Sequence, residues 1–327
     1  MKKAFCMMAA LAAMTLYASP PARAADGKVI VYTAAPQEIV DKIVPAFEKK
    51  TGIKVELVKA GAGELINRLK AEKGRQTADV IWSVGGDILQ ANPDLLGTYT
   101  PAGADKVFPE VKPTGKWTPF TLIATSFIIN TSMLAPADRP RTWQDLANPK
   151  YKGKISIARL DKSSSSYIQL AALLQIDGLD KGWDLYSRIL DNTQLANSSG
   201  AVPKFVNDGE AAIGICNEDV GLLYKNGGGP VEVIYPADGT TAQADGMAML
   251  ATPANPAAGK AYLDFALSVE GQTLVASVGR RPVRMDVPAL ASLAPLSSMK
   301  LVNYNLEWAA GYQKTALAKW NDIIMSK

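Results

Sequence analysis

The stretch Lys28-Val29-Ile30-Val31-Tyr32 is a short β-branched run that reads as a buried strand. Directly after it the period changes: Ile39, Ile43, Val44 and Phe47 share one helical face, and Lys49, Lys50 and Gly52 supply the signals of a helix C-terminus. A second strand is expected over 53–58, followed by the loop Ala60-Gly61-Ala62-Gly63 and a helix carrying Leu65, Ile66 and Leu69. Asp79-Val80-Ile81-Trp82 reads as the third strand and runs into Ser83-Val84-Gly85-Gly86-Asp87. Strands and helices alternating at this spacing predict an α/β fold with a mainly parallel sheet flanked by helices.

The middle of the chain repeats the theme with Ile155-Ser156-Ile157, a helix after Ser163, and Ala212-Ile213-Gly214-Ile215. A second α/β lobe is the economical reading. Extended runs at 119–129 and 246–250 read as crossings between lobes, and the helical segment 255–279 completes the first lobe. The expected division is 25–118 with 247–290 for the N-terminal lobe, and 119–246 with 291–327 for the C-terminal one.

Lys2 and Lys3 precede an apolar run from Ala4 to Tyr17, and Ala22-Arg23-Ala24 gives the small-x-small pattern of a cleavage site. Residues 1–24 read as a cleavable signal peptide, which places the mature protein in the periplasm. The apolar core falls short of the roughly 20 residues a membrane anchor needs and ends at Pro20-Pro21. No later run is long enough to span a bilayer, and Cys6 lies too early to be a lipidation site.

A length of 327 residues suits two domains, and 48% hydrophobic with 20% charged residues excludes a disordered chain. The chain has no histidine, which removes Ser-His-Asp and Cys-His catalysis, His-ligated zinc and His-ligated haem. Without the leader, Cys216 is the sole cysteine, so neither an intrachain disulfide nor a thiolate metal cluster can form. Removing Lys2, Lys3 and Arg23 leaves 32 basic against 31 acidic residues, a balance that argues against nucleic-acid binding.

In α/β lobes ligands collect beyond the carboxyl ends of strands, where helix N-termini present free N–H groups. Four such loops supply candidates: Thr33 and Ala34; Ser83, Gly85 and Asp87; Ser163, Ser164 and Ser165; and Ser198, Ser199 and Gly200. Small hydroxyl residues and glycines there suit a phosphate, phosphonate or carboxylate, although serine is also an ordinary helix cap. Glu218 and Asp219 end a strand and can meet sugar hydroxyls or an ammonium group, with Asp219 also able to cap the next helix. Asp245 lies just before the return crossing. The loop 235–241 could close against the ligand, and Arg280, Arg281 and Arg284 fit either an anion site or structural ion pairs.

The whole pattern resembles the ferric-binding-like group of type II periplasmic solute-binding proteins of ABC transporters. The resemblance rests on Val29-Ile30-Val31-Tyr32 with the run 47–55, Ala78-Asp79-Val80-Ile81-Trp82, Thr142-Trp143-Gln144-Asp145-Leu146, Asn197-Ser198-Ser199-Gly200-Ala201-Val202, and Gly279-Arg280-Arg281-Pro282-Val283-Arg284. It implies a two-lobed fold with a double crossing, a monomer that closes on a small anionic solute, and no cofactor, resident metal or chemistry. It also implies an inner-membrane ABC permease and its ATPase as partners. Iron carriers of the group use paired tyrosines after the strand ending here at Cys216 and often a histidine in the first loop. Asn217-Glu218-Asp219 and Pro36 stand at those places. The Glu218-Asp219 pair, the loop from Tyr235 to Thr240, Trp308-Ala309-Ala310 and Lys319-Trp320-Asn321 look more like the branch that binds hexose phosphates. Neighbouring branches bind 2-aminoethylphosphonate or thiamine derivatives. The alternatives are a ferric carrier with Glu218, Asp219 and Asp87 as oxygen ligands, or a secreted metal-dependent enzyme using the same three acids.

Overall fold

The computed structural model describes residues 27–75, 77–111 and 116–327, so the expected signal peptide lies outside the described residues. Strand β1 (Lys28–Thr33) leads to α1 (Gln37–Thr51), which stops at Gly52. That glycine takes φ 74°, a left-handed conformation a side chain would strain, and donates its N–H to Glu48 O. Then come β2 (Lys54–Lys59), α2 (Ala62–Ala71), β3 (Val80–Gly85) and the short α3 (Gly86–Gln90). Strand β4 (Thr118–Asn130) is buried along all 13 residues.

The second half opens with α4 (Trp143–Leu146), started by a capping box between Thr142 and Asp145. It continues through β5 (Ile155–Ala158), α5 (Ser164–Asp177), α6 (Leu179–Asp191), β6 (Thr193–Ala196), α7 (Ala201–Asn207), β7 (Ile213–Asn217), α8 (Glu218–Asn226) and β8 (Val231–Ile234). Strand β9 (Ala242–Met249) returns to the first lobe, followed by α9 (Pro256–Leu267), α10 (Val269–Ser277), β10 (Arg281–Pro282) and α11 (Leu306–Met325). The segment 255–279 is two helices because Ser268 ends α9 and caps α10, accepting the Gly271 N–H.

Each lobe keeps a parallel trio, β2-β1-β3 in one and β6-β5-β7 in the other. Antiparallel strands join them. The first part of β4 pairs with β9 and β10, and from Thr125 onward it pairs with β7 and β8. At the change of partners Thr125 N–H donates to Thr241 O (3.1 Å), and Thr240 Oγ1 donates to Thr125 O (2.6 Å). Strands β4 and β9 therefore carry the chain between the lobes as hydrogen-bonded strand, and a third passage, from β10 to α11, runs outside any named strand.

Three apolar clusters follow from this arrangement, the smallest of them around Ile128, Val202 and Val206. In the first, Trp82 meets Phe120 and Tyr262 edge-on at 5.3 and 5.5 Å, and Phe47 meets Tyr262 at 5.1 Å, so α1 and α9 seal β3 and β4. In the second, Trp143, Tyr151, Tyr167 and Trp183 bury together with Ala309, Ala316 and Trp320, which places α11 on the second core.

Candidate ligand cleft

A cavity of about 420 Å³ lies between the lobes. The first lobe supplies residues 34–38, 59–62 and Ser83; the second supplies residues 162–165, 198–200, Asn217 and the Val220, Leu223 and Tyr224 side of α8. Ile123 of β4, Asp245 of β9 and Arg280 form its base. All four loops singled out from sequence, together with the Asn217 loop, thus meet at one place, because each follows a strand of a parallel trio.

One wall is rich in donors. Ser163 is the N-cap of α5, its Oγ accepting the Ser166 N–H at 3.2 Å, which leaves Ser164 and Ser165 in the first turn beside the cavity. Asn217 Nδ2 donates to Ser165 Oγ at 3.0 Å, so the Ser165 hydroxyl proton is free to point at a ligand. Ser198 Oγ accepts the Ala201 N–H at 3.3 Å, while Ser199 and Gly200 face the cavity. The positive end of the α5 dipole faces the same space.

The base carries a charged group that the sequence reading left undecided. Arg280 is buried, its Nε lies 2.8 Å from Asp219 Oδ2 as an ion pair, and neither Nε nor Nη1 makes a hydrogen bond. A buried donor without a partner is costly unless something that enters the site completes it. Beside it, Asp245 accepts from Ser83 Oγ (2.5 Å), Thr121 Oγ1 (2.5 Å) and the Thr121 N–H (2.9 Å). Burial pushes Asp245 above the ordinary carboxylate range, with Arg280 and these donors opposing.

Bulges create that cluster. The β3–β9 register shifts between Trp82 and Val84, and the β4–β9 register shifts between Pro119 and Thr121. Ser83 sits in the first of them at φ 55°, alone among the described non-glycine residues in having positive φ. The irregularities turn the Ser83 and Thr121 hydroxyls onto one carboxylate of the intervening strand.

The remaining expected residues divide. Ala34 lines the cavity, whereas Thr33 stands behind it, donating from Oγ1 to Trp82 O and accepting the Ala35 N–H. Gly85 backs onto Ser164: a Cβ there would lie 2.9 Å from the Ser164 Cβ. Glu218, expected against the ligand, is turned away; it accepts Arg281 Nε (2.5 Å), Arg281 Nη2 (2.9 Å) and Tyr235 Oη (2.7 Å). Its carboxylate is saturated, and the loop at Tyr235 is held by it and by Trp143, whose N–H donates to Asp238. Asp219 is occupied by Arg280, and burial pushes its carboxyl up.

Asp87 is in α3, outside the cavity and buried, with neither carboxylate oxygen in a hydrogen bond. Desolvation pushes it up to about 7, with the N–H groups of Ile88 and Asp87 opposing. The three acids of the ferric and enzymatic alternatives therefore do not converge. Among the described residues no group of three or more His, Cys, Asp or Glu could hold a metal ion. Cys216 is buried and its thiol is pushed up to about 12 by burial, which makes it unreactive.

Across the mouth of the cavity the lobes touch backbone to backbone. A Cβ on Gly61 would lie 2.3 Å from Lys162 O, and one on Gly63 would lie 2.3 Å from Asp161 O. Gly61 has φ −64° and ψ 149°, an ordinary conformation, so proximity and not backbone strain requires a glycine there. Lys162 Nζ crosses the same seam to Glu64 at 2.6 Å.

Two lobes on shared strands, with a polar cavity between them and no catalytic constellation, define a binding protein of the periplasmic two-lobed class. The chain belongs to the family of bacterial extracellular solute-binding proteins, which it matches over residues 42–300. The periplasmic binding protein AfuA of Actinobacillus pleuropneumoniae, solved with exogenous fructose-6-phosphate bound, is 26% identical with a TM-score of 0.87 over 92% of this chain and 99% of that one. A putative 2-aminoethylphosphonate-binding periplasmic protein of Salmonella paratyphi A is 25% identical over 86% of both chains. A Fe(3+)-binding periplasmic protein of Serratia marcescens is 28% identical over 62% of this chain and 60% of its own. These relatives are periplasmic binding proteins. The chain is accordingly a solute-binding component of an ABC importer, not an enzyme, and works with a small ligand and a permease. No helix among the described residues is long and apolar enough to cross a membrane.

Proposed function

We propose that this protein is a periplasmic monomer that closes its lobes on a small organic anion bearing a phosphate or phosphonate and delivers it to an inner-membrane permease and its ATPase. The lobes in this reading are 25–118 with 247–290 and 119–246 with 291–327, released from a signal peptide at 1–24. The observation that carries the proposal is the meeting of Arg280, whose Nε and Nη1 are buried without hydrogen-bond partners, with Ser164, Ser165, Ser199 and the α5 N-terminus around one cavity. A fixed guanidinium, hydroxyl donors and a helix start together suit a tetrahedral oxyanion. The likeness to a protein solved with fructose-6-phosphate supports a hexose phosphate as one candidate, and the Salmonella relative supports an aminoalkylphosphonate.

Calorimetric titration with inorganic phosphate, fructose 6-phosphate and 2-aminoethylphosphonate tests the reading. Ser165→Ala combined with Ser199→Ala should weaken all that bind; unchanged affinity would remove the anion site. The ferric alternative predicts a coloured tyrosinate band on iron loading, and we expect a colourless protein, since Tyr224 alone among the described tyrosines lines the cavity.

A further inference from the structure

We propose that closing the lobes takes up a proton at Asp87, which makes the packing of α3 against the second lobe an acid-favoured latch on the closed state. The inference rests on the lobe closure of the reading above but on no particular ligand, since Asp87 lies outside the cavity.

Position carries the argument. Asp87 is in the first turn of α3, whose Ile88 and Leu89 belong to the first core, yet groups of the second lobe close over it. A Cβ on Gly85 would lie 2.7 Å from Asp87 Oδ1 and 2.9 Å from the Cβ of Ser164, so the carboxyl stands where the end of β3 meets the start of α5. Burial raises the Tyr167 and Tyr304 hydroxyls, and the charge of Asp87 adds to the rise; both rings pack in the second core. The Tyr304 hydroxyl and both Asp87 oxygens are buried without hydrogen-bond partners. Helix α11, seated on the second core, packs against α3.

Among the described residues no cation answers the carboxyl from any element packed there. Tyr167 faces it from α5 and Tyr304 from the turn before α11; β3 has no titratable side chain, and Asp245 of β9 is held by Ser83 and Thr121. Glu307 and Lys314 of α11 line a separate groove with Ile88 and Gln90. An unpaired buried carboxylate is costly and a neutral carboxyl far less so, so the closed state keeps a proton that the hydrated, open state releases. Burial pushes Asp87 up to about 7 from 3.8, so closure is favoured most in acid and that advantage is lost as pH rises through 7. From pH 5.5 to 8.5 the closing equilibrium should weaken about thirtyfold.

Energy transfer between dyes on Lys42→Cys of α1 and Lys181→Cys of α6, one exposed site in each lobe, reads the lobe distance in the full mature chain without ligand, and the buried Cys216 stays unlabelled. The closed population should fall as pH rises from 5.5 to 8.5. Asp87→Asn, isosteric with the neutral acid, and Asp87→Ala, also uncharged, should remove that response. Calorimetric titration with fructose 6-phosphate gives a second readout. Protonation of the phosphate is common to both proteins, so the ratio of wild-type to Asp87→Asn affinity isolates Asp87 and should fall about thirtyfold over the same range. A pH-independent lobe distance in the wild type, or the same pH response in both variants, would overturn the latch. A melting temperature that follows Asp87 with no change in lobe distance would overturn it too, by placing the titration in the fold. No binding of fructose 6-phosphate or inorganic phosphate at either pH would overturn the anion reading alone, because the distance readout needs no ligand.

Discussion

Arg280 and Arg281 are adjacent in sequence, and they meet the adjacent acids Asp219 and Glu218, yet the two pairs are built differently. Arg281 is a closed arrangement: two bonds to Glu218, one from Nη2 to Ala294 O at 2.6 Å, and Tyr235 filling the remaining carboxylate site. Arg280 makes one contact, at 2.8 Å, and keeps Nη1 unsatisfied at the base of the cleft. Successive side chains of an extended segment point to opposite sides, so one arginine enters the structural interior and the other the ligand cavity. The complete pair is expected to hold the fold, and the incomplete one is where the proposed anion would complete the hydrogen bonding.

Breaking the complete pair should have the largest effect. Arg281→Ala strands a buried Glu218 carboxylate and should lower stability by about 3–5 kcal/mol in urea denaturation. Replacing both partners by apolar residues of similar volume should recover most of that loss. An Arg281→Ala protein of wild-type stability would abolish the distinction between the pairs.

Asp87 extends the comparison to a buried carboxyl with no arginine. Raised to about 7 from 3.8, it favours the protonated folded state. Its contribution is complete below the unfolded value and is lost as pH rises through 7, up to about 4 kcal/mol in all. Asp87→Asn should therefore raise the melting temperature at pH 8 more than at pH 5, and equal shifts at the two pH values would count against a titrating Asp87.

Arg280→Gln sharpens the contrast from the other side. It should weaken phosphate or phosphonate binding by about ten- to a hundredfold, as expected for about 1.5–3 kcal/mol of a charged hydrogen bond, with a smaller stability change than Arg281→Ala. Titration and denaturation of the same variant separate the two effects. The smallest effect belongs to Ser163→Ala, which removes the α5 cap and should cost about 1 kcal/mol of stability. A larger loss of affinity than of stability there would mean that Ser163 also meets the ligand.

The alternation from β1 to β3 and the long helices were legible because their period survives in local sequence: Ile39, Ile43 and Phe47 are all buried as the spacing requires. Ser163, Ser164, Ser165, Ser198, Ser199 and Gly200 were legible as a group, since strand ends followed by hydroxyl residues and glycines place them at one edge. The roles of Glu218 and Arg280 were not. Each depends on which neighbour 60 residues away meets it, and an acid pair and an arginine pair read alike until the alternation of β10 and the start of α8 are fixed in space. The Ser83 conformation was also hidden, because a bulge arises from the mismatch of two registers and from no single residue type.

The seam at Gly61 and Gly63 gives the cleft a ruler. Where carbonyl meets α-carbon there is no rotamer to adjust, so the lobes either seat fully against residues 161 and 162 or do not seat at all. A methyl group added at Gly63, which is outside the lining of the cavity, would therefore hold the lobes apart and leave that lining unchanged.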